Sequence, residues 1–205
     1  LTTTNLGALD TTQVAGLTAA QIGALSATNL AALNATAVGS LDATQVQGLT
    51  TAQLKGLSAT TFGELQDTQI ATLTSTQIGA LSATNFSSLD ATAIGALTAT
   101  QLSGVTTTEI AGLTTATLGE FQDTQIAALA STQIGALSTT VIANLTTTAI
   151  GVFQASQIPG MTATQIAQLS TTNISAMNAT QIAGFTPTQV QSMSEEQVTA
   201  YLGDG

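Results

Sequence analysis

The side chains that could do chemistry in this chain are few. Lys55 is its only cation, there are eleven acidic residues, and Arg, His and Cys are absent from all 205 positions. Two carboxylate pairs share the same spacing, Glu64 with Asp67 and Glu120 with Asp123. Carboxylates of this kind are ligands for hard cations such as Ca²⁺, but two are few and the spacing matches no calcium loop. Charges at helix starts explain them more simply, so we predict no metal, no cofactor and no catalytic residue.

The absences exclude several function classes. Without His or Cys the chain has no imidazole base, no thiolate nucleophile and no zinc site of the common kinds. A single cation cannot supply the electrostatic attraction on which nucleic-acid binding depends. The longest apolar runs are only a few residues, which predicts no membrane insertion. The formal net charge of −10 suits an exported, non-sticky surface. We therefore expect a protein that is not an enzyme.

Threonine is the most conspicuous polar residue. One series recurs at intervals of eight residues: Thr68, Thr76, Thr84, Thr92, Thr100 and Thr108. If these side chains formed a surface row, the row could bind ice, a polysaccharide or another polymer. The simpler explanation is that each threonine fills a position in the first turn of a helix, and that duplication of one unit makes the rows.

The spacing of the threonines reflects an eight-residue repeat that runs through the whole chain. Counted in octads from Leu1, position 1 is a large apolar residue in all 26 rows, and position 6 is one in all 25 complete rows. Position 2 is Ser, Thr, Asp or Asn in 21 of 25 octads, and position 5 is Gln, Glu or Asn in 19 of 25. Positions 7 and 8 are mostly Gly, Ala or Ser. The chain is therefore a tandem array, which we expect to be part of a longer one.

This pattern predicts one short helix in each octad. Position 2 carries the preferred N-cap residues, and Gln or Glu three residues later completes a capping box. The apolar residues at positions 1 and 6 then stand at N′ and N4 and form a hydrophobic staple. We expect small residues to end each helix, with glycine in the left-handed conformation. Pro187 would stand at the tolerated N1 position, whereas Pro159 should leave its octad with barely one turn.

A β-solenoid is the alternative, because Thr and Ile favour strands. The helical interpretation is preferred, since the capping pattern would otherwise be coincidental in every octad. A single octad buries too little apolar surface to fold alone, so successive octads should coil into an all-α solenoid. Positions 1 and 6 would point inward, Ser, Thr and Gln outward, and the small residues would let adjacent coils approach closely. The representative core residues are Leu9, Val14, Leu17, Ile22, Leu73, Ile78, Leu129, Ile134, Met161 and Ile166.

The sequence also contains a repeat longer than the octad and a distinct C-terminal segment. Residues 57–80 and 113–136 are identical at 17 of 24 positions across a shift of seven octads. Segmental duplication explains this similarity. The alternative is structural, if seven octads fill a whole number of coils of the solenoid. The sequence predicts one repeat domain over residues 1–205, with residues 194–205 as a C-terminal cap.

The octads resemble a known class of repeat. The runs from Ser75 to Leu81 and from Thr162 to Leu169 are similar to the Thr-Gln-Ile-x-x-Leu arrays of very large bacterial exoproteins of the haemagglutinin, haem-utilisation and adhesin type. The resemblance covers the whole chain and implies an extracellular or cell-surface, non-enzymatic stalk or adhesive region. No haem-binding residue carries over.

Two function classes follow. The first is a structural or adhesive solenoid that acts as a stalk or spacer in an exported bacterial surface protein. The second is a surface-binding module that uses the threonine row, or a subunit that assembles with itself into filaments. Expected partners are other copies or neighbouring repeats, or a polymer surface.

Overall fold

The computed structural model describes residues 2–203 and is helical throughout. Within those residues each of the 25 octads forms one helical element, and there is no β-strand. Twenty-four of the elements are α-helices, and one is a 3-10 turn. The chain is thus an all-α solenoid of very short helices, as the capping pattern predicted, and the β-solenoid alternative was wrong.

The helices of the first half are α1 (Thr3–Gly7), α2 (Thr11–Ala15), α3 (Ala19–Gly23), α4 (Ala27–Leu30), α5 (Ala35–Gly39), α6 (Ala43–Gln47), α7 (Thr51–Gly56), α8 (Ala59–Phe62), α9 (Asp67–Ile70), α10 (Ser75–Ile78), α11 (Ala83–Ser87), α12 (Ala91–Ala96) and α13 (Ala99–Leu102). The second half contains α14 (Thr107–Ala111), α15 (Thr115–Gly119), α16 (Asp123–Ala128), α17 (Ser131–Ala136), α18 (Thr139–Ala143), α19 (Thr147–Gly151), the 3-10 turn (Ile158–Gly160), α20 (Ala163–Ile166), α21 (Thr171–Ser175), α22 (Ala179–Ile182), α23 (Pro187–Gln191) and α24 (Glu195–Leu202).

The helices begin where the capping box places them. In α6, Asp42 accepts a hydrogen bond at 2.8 Å from the backbone N–H of Gln45. The Gln45 side chain in turn accepts one at 2.9 Å from the backbone N–H of Asp42. This reciprocal pair satisfies two backbone donors that a helix start leaves open. The capping prediction is confirmed.

The predicted helix ends are wrong in one respect. Gly203, which follows α24, is the only residue with a positive φ, 77°, among those described. The residues that follow the other α-helices all have negative φ. The glycines at positions 7 and 8 therefore do not serve as left-handed caps.

The two prolines behave as expected. Pro187 is the first residue of α23. The octad that contains Pro159 has only the 3-10 turn, because proline lacks the N–H that an α-helical bond would need.

The chain divides into two compact units, Leu1–Val105 and Thr106–Gly205, each built in the same way. Within a unit, helices three octads apart pack together, as α3 does with α6 and α14 with α17. The side-chain hydrogen bonds described below join residues 28 and 31 apart. One coil therefore takes three and a half octads, and the repeat over seven octads equals two such steps. The predicted cap holds α24, while residues 204 and 205 lie outside the described part of the chain.

Glycines let successive coils touch backbone to backbone. A Cβ added to Gly23 would lie 2.6 Å from the carbonyl oxygen of Gly48. A Cβ added to Gly48 would lie 2.5 Å from the carbonyl oxygen of Ala19. The absence of a side chain at these positions permits the approach, which confirms the expectation for positions 7 and 8.

The core follows positions 1 and 6. Eight of the ten representative residues are buried, whereas Leu9 and Leu17 are only half-buried in the first coil. Position 5 departs from expectation. Its glutamines were expected to point outward, yet Gln45 and Gln53 are each only 2% exposed. Their side chains are buried because each makes hydrogen bonds to an earlier coil.

Candidate functional site

A recurring polar arrangement surrounds the buried position 5 glutamines. Gln165 accepts a hydrogen bond at 2.7 Å from the backbone N–H of Thr162, which begins its own helix. Its Nε2 donates to two carbonyl oxygens of the preceding coil, at 3.0 Å to Ile134 and at 2.7 Å to Leu137. One side chain thus fastens its own helix start and joins two coils.

The same geometry recurs along the chain. The following glutamines donate Nε2 to carbonyl oxygens 28 and 31 residues earlier, and we call them the glutamine ladder: Gln45, Gln53, Gln69, Gln77, Gln157, Gln165, Gln181, Gln189 and Gln197. Their Oε1 atoms cap their own helices. Both ends of each amide are occupied, so the ladder caps the helices and holds the coils together.

The sequence contains a signal for this ladder that the capping argument missed. Gln, Glu or Asn is replaced at position 5 by Ala37, Thr61, Ala93, Thr117, Val141 and Ala149. The first four are separated by steps of three, four and three octads, and the last two lie three and four octads after Thr117. These steps average to the three and a half octads of one coil. The interruptions therefore cluster on one side of the coil in each unit.

Glu109 occupies position 5 in place of a glutamine. Its Oε2 accepts hydrogen bonds from the backbone N–H and the hydroxyl of Thr106, at 2.6 and 2.7 Å. Its Oε1 is buried and has no hydrogen-bond partner among the described residues. Burial raises the pKa of the Glu109 carboxyl, and the bonds from Thr106 oppose that rise in part.

The two predicted acid pairs stay at the surface. Glu64 and Asp67 are half-buried, and Asp67 is the first residue of α9. Glu120 and Asp123 are exposed, and Asp123 is the first residue of α16. Within residues 2–203 no group of three or more His, Cys, Asp or Glu side chains could hold a metal ion.

The six threonines of the predicted row are all exposed. Consecutive members lie on consecutive helices around the coil, and the last, Thr108, belongs to the second unit. In the first unit, Thr68 and Thr92 lie on α9 and α12, which pack together, and Thr76 and Thr100 lie on α10 and α13, which also pack together. The structure therefore places two pairs on packed helices three octads apart and does not stack the threonines as one file.

The second unit contains an open cleft of about 630 Å³. Its walls come from the starts of α16 and α22, and its floor is the segment 151–155. Gly151 at this floor has open space where a side chain would be. Smaller grooves of about 100 and 120 Å³ adjoin Ala149 and Ala93, where the ladder is interrupted.

The geometry defines a class of protein, a repeat solenoid whose coils are joined by buried glutamines. No protein-family model, curated protein or solved structure matches the chain. In the described residues, the helices are all too short to cross a membrane.

Proposed function

We propose that the chain is a structural solenoid that serves as a stalk or spacer in an exported bacterial surface protein. The observation that carries the proposal is the glutamine ladder, which uses internal polar side chains to join coils within each unit. A repeat array of this kind can lengthen by adding octads without a new core, which is what a spacer requires.

The outer surface supports the same role. Exposed positions are mostly Ser, Thr, Ala and Gly, and the side chains that most enzymes rely on, His, Cys and Arg, are missing from the sequence. The net charge of −10 disfavours non-specific adhesion to other acidic surfaces. The resemblance to repeat regions of large exoproteins supports an extracellular or cell-surface location.

A surface-display experiment tests the proposal. The full chain is placed between an outer-membrane anchor and an epitope tag on bacterial cells, and binding of antibody-coated beads to the tag is counted. We expect strong binding with the full chain, and weaker binding when the seven octads of residues 57–112 are deleted. Equal binding with and without the chain would contradict the spacer role. Adhesion of untagged displaying cells to polymer-coated surfaces would instead favour the adhesive alternative.

A further inference from the structure

The open cleft of the second unit differs from the rest of the surface in its backbone. In every other octad an α-helix begins at the third position, but residues 152–157 contain none. Asp123, Gly151 and Ala179 follow one another at intervals of one coil, so the cleft crosses three successive coils. The cleft therefore lies beside the irregular octad, in which Pro159 opposes the regular helix.

The side chains that line the cleft have unused hydrogen-bonding capacity. The Asp123 carboxylate and the hydroxyls of Thr124 and Thr180 make no hydrogen bond within residues 2–203. Asn178 uses Oδ1 to cap α22 and, among the described residues, leaves its Nδ2 free. Gln154 donates weakly to the carbonyl of Val152, at 3.2 Å, and keeps Oε1 open.

These groups restrict the chemistry of a ligand. Asp123 is the only charged residue that lines the cleft, so anions are repelled. One carboxylate without further oxygen ligands is too little for Ca²⁺. The half-buried residues Ala127, Val152 and Ala155 provide an apolar surface of limited width. A neutral ligand with one apolar face and many hydroxyls fits both the floor and the walls.

We propose that this cleft binds a short neutral oligosaccharide. Sugar C–H groups would lie on Val152 and Ala155, and sugar hydroxyls would bond to Asp123, Asn178 and Thr180. The volume of about 630 Å³ is in the range of small-molecule sites. Such a site is independent of the spacer role, since a spacer needs no ligand.

Titration by heteronuclear NMR tests the proposal on the full chain. Cellohexaose, maltohexaose and mannohexaose are added separately at millimolar concentration. At least one should shift the backbone amides of residues 123–124, 152–155 and 178–180 in a saturable way. Inorganic phosphate and CaCl₂ should leave them unchanged. If none of the three sugars shifts these amides, or if phosphate or calcium does so instead, the proposal is wrong.

A matched pair of variants locates the binding. Ala163 and Ala179 are both exposed first residues of helices with the sequence ATQI, but only Ala179 lines the cleft. Ala179→Trp should weaken sugar binding at least tenfold, whereas Ala163→Trp should leave it unchanged. Asp123→Ala removes a carboxylate that makes no hydrogen bond within residues 2–203 and should also weaken binding several-fold. Equal affinity of the two Trp variants would overturn the assignment.

Discussion

Replacement of Gln165 by alanine should destabilise the protein far more than a surface substitution does. The change removes the bonds of Nε2 to Ile134 and Leu137 and the bond from Thr162 to Oε1. At about 1 kcal/mol for each net hydrogen bond, the loss is about 3 kcal/mol. That is a large fraction of the about 5–15 kcal/mol by which domains are stable.

Urea unfolding followed by helical circular dichroism measures the effect. Gln168→Ala is the matched control, because Gln168 lies three residues away, is exposed and uses no side-chain hydrogen bond among the described residues. Its effect should stay within about 0.5 kcal/mol. A Gln165→Ala loss below about 1 kcal/mol, or one equal to the control, would refute the view that the ladder joins the coils.

Gln165→Glu separates hydrogen-bond donation from volume. Glutamate keeps the shape and can still accept from Thr162, but an ionised carboxylate cannot donate to the two carbonyls. We expect this variant to be less stable than the parent at neutral pH and to recover part of the loss as the pH falls and the carboxyl is protonated. A pH-independent loss would indicate that the donor does not matter.

Three further predictions address other parts of the fold. Ala149→Gln should place an amide in the groove beside Leu118 and so extend the glutamine ladder. We expect urea unfolding to show a gain in stability of about 1 kcal/mol. A destabilised variant would mean that the groove cannot receive the amide. Gly48→Ala should destabilise by about 1–3 kcal/mol because of the close carbonyl of Ala19, whereas Gly119→Ala, with no atom within 4 Å, should be neutral or slightly stabilising; equal melting temperatures would contradict the close approach. The raised pKa of Glu109 means that the carboxyl stabilises the folded chain at a pH below its pKa in the unfolded chain, and that this stabilisation is lost as the pH rises through its pKa in the folded chain. Glu109→Gln should therefore flatten the fall in stability from acidic to neutral pH. An unchanged pH profile of urea unfolding would contradict this.

The local structure of this protein is encoded in single octads. The types of residue at positions 2 and 5 were enough to place nearly every helix start, and Pro159 and Pro187 were enough to locate the exception and the tolerated proline. These features depend on backbone groups within four residues of each other, which is why a pattern search finds them.

The packing of one coil on the next was not accessible in the same way. The capping box predicts the hydrogen bond that Oε1 of Gln165 accepts. It does not predict the bonds of Nε2, whose partners are 28 and 31 residues away. The interruptions at Ala93 and Ala149 are seven octads apart, which is two coils, but the meaning of this spacing depends on knowing that the glutamine is buried. The cleft was likewise unpredictable, because it results from three coils meeting around one irregular octad.

The most direct test of the coil step uses engineered disulfides, since the chain has no cysteine of its own. A Cβ added to Gly56 would lie 3.0 Å from the Cβ of Ala27. Among the described residues, no atom of Ala19 lies within 4 Å of that added Cβ. Disulfides need Cβ atoms about 3.8 Å apart, so the pair of Ala27 and Gly56 requires only a small shift. On oxidation, Ala27→Cys with Gly56→Cys should form an intramolecular disulfide in nearly all molecules, whereas Ala19→Cys with Gly56→Cys should not. Crosslinking of the second pair in preference to the first would contradict a coil of three and a half octads.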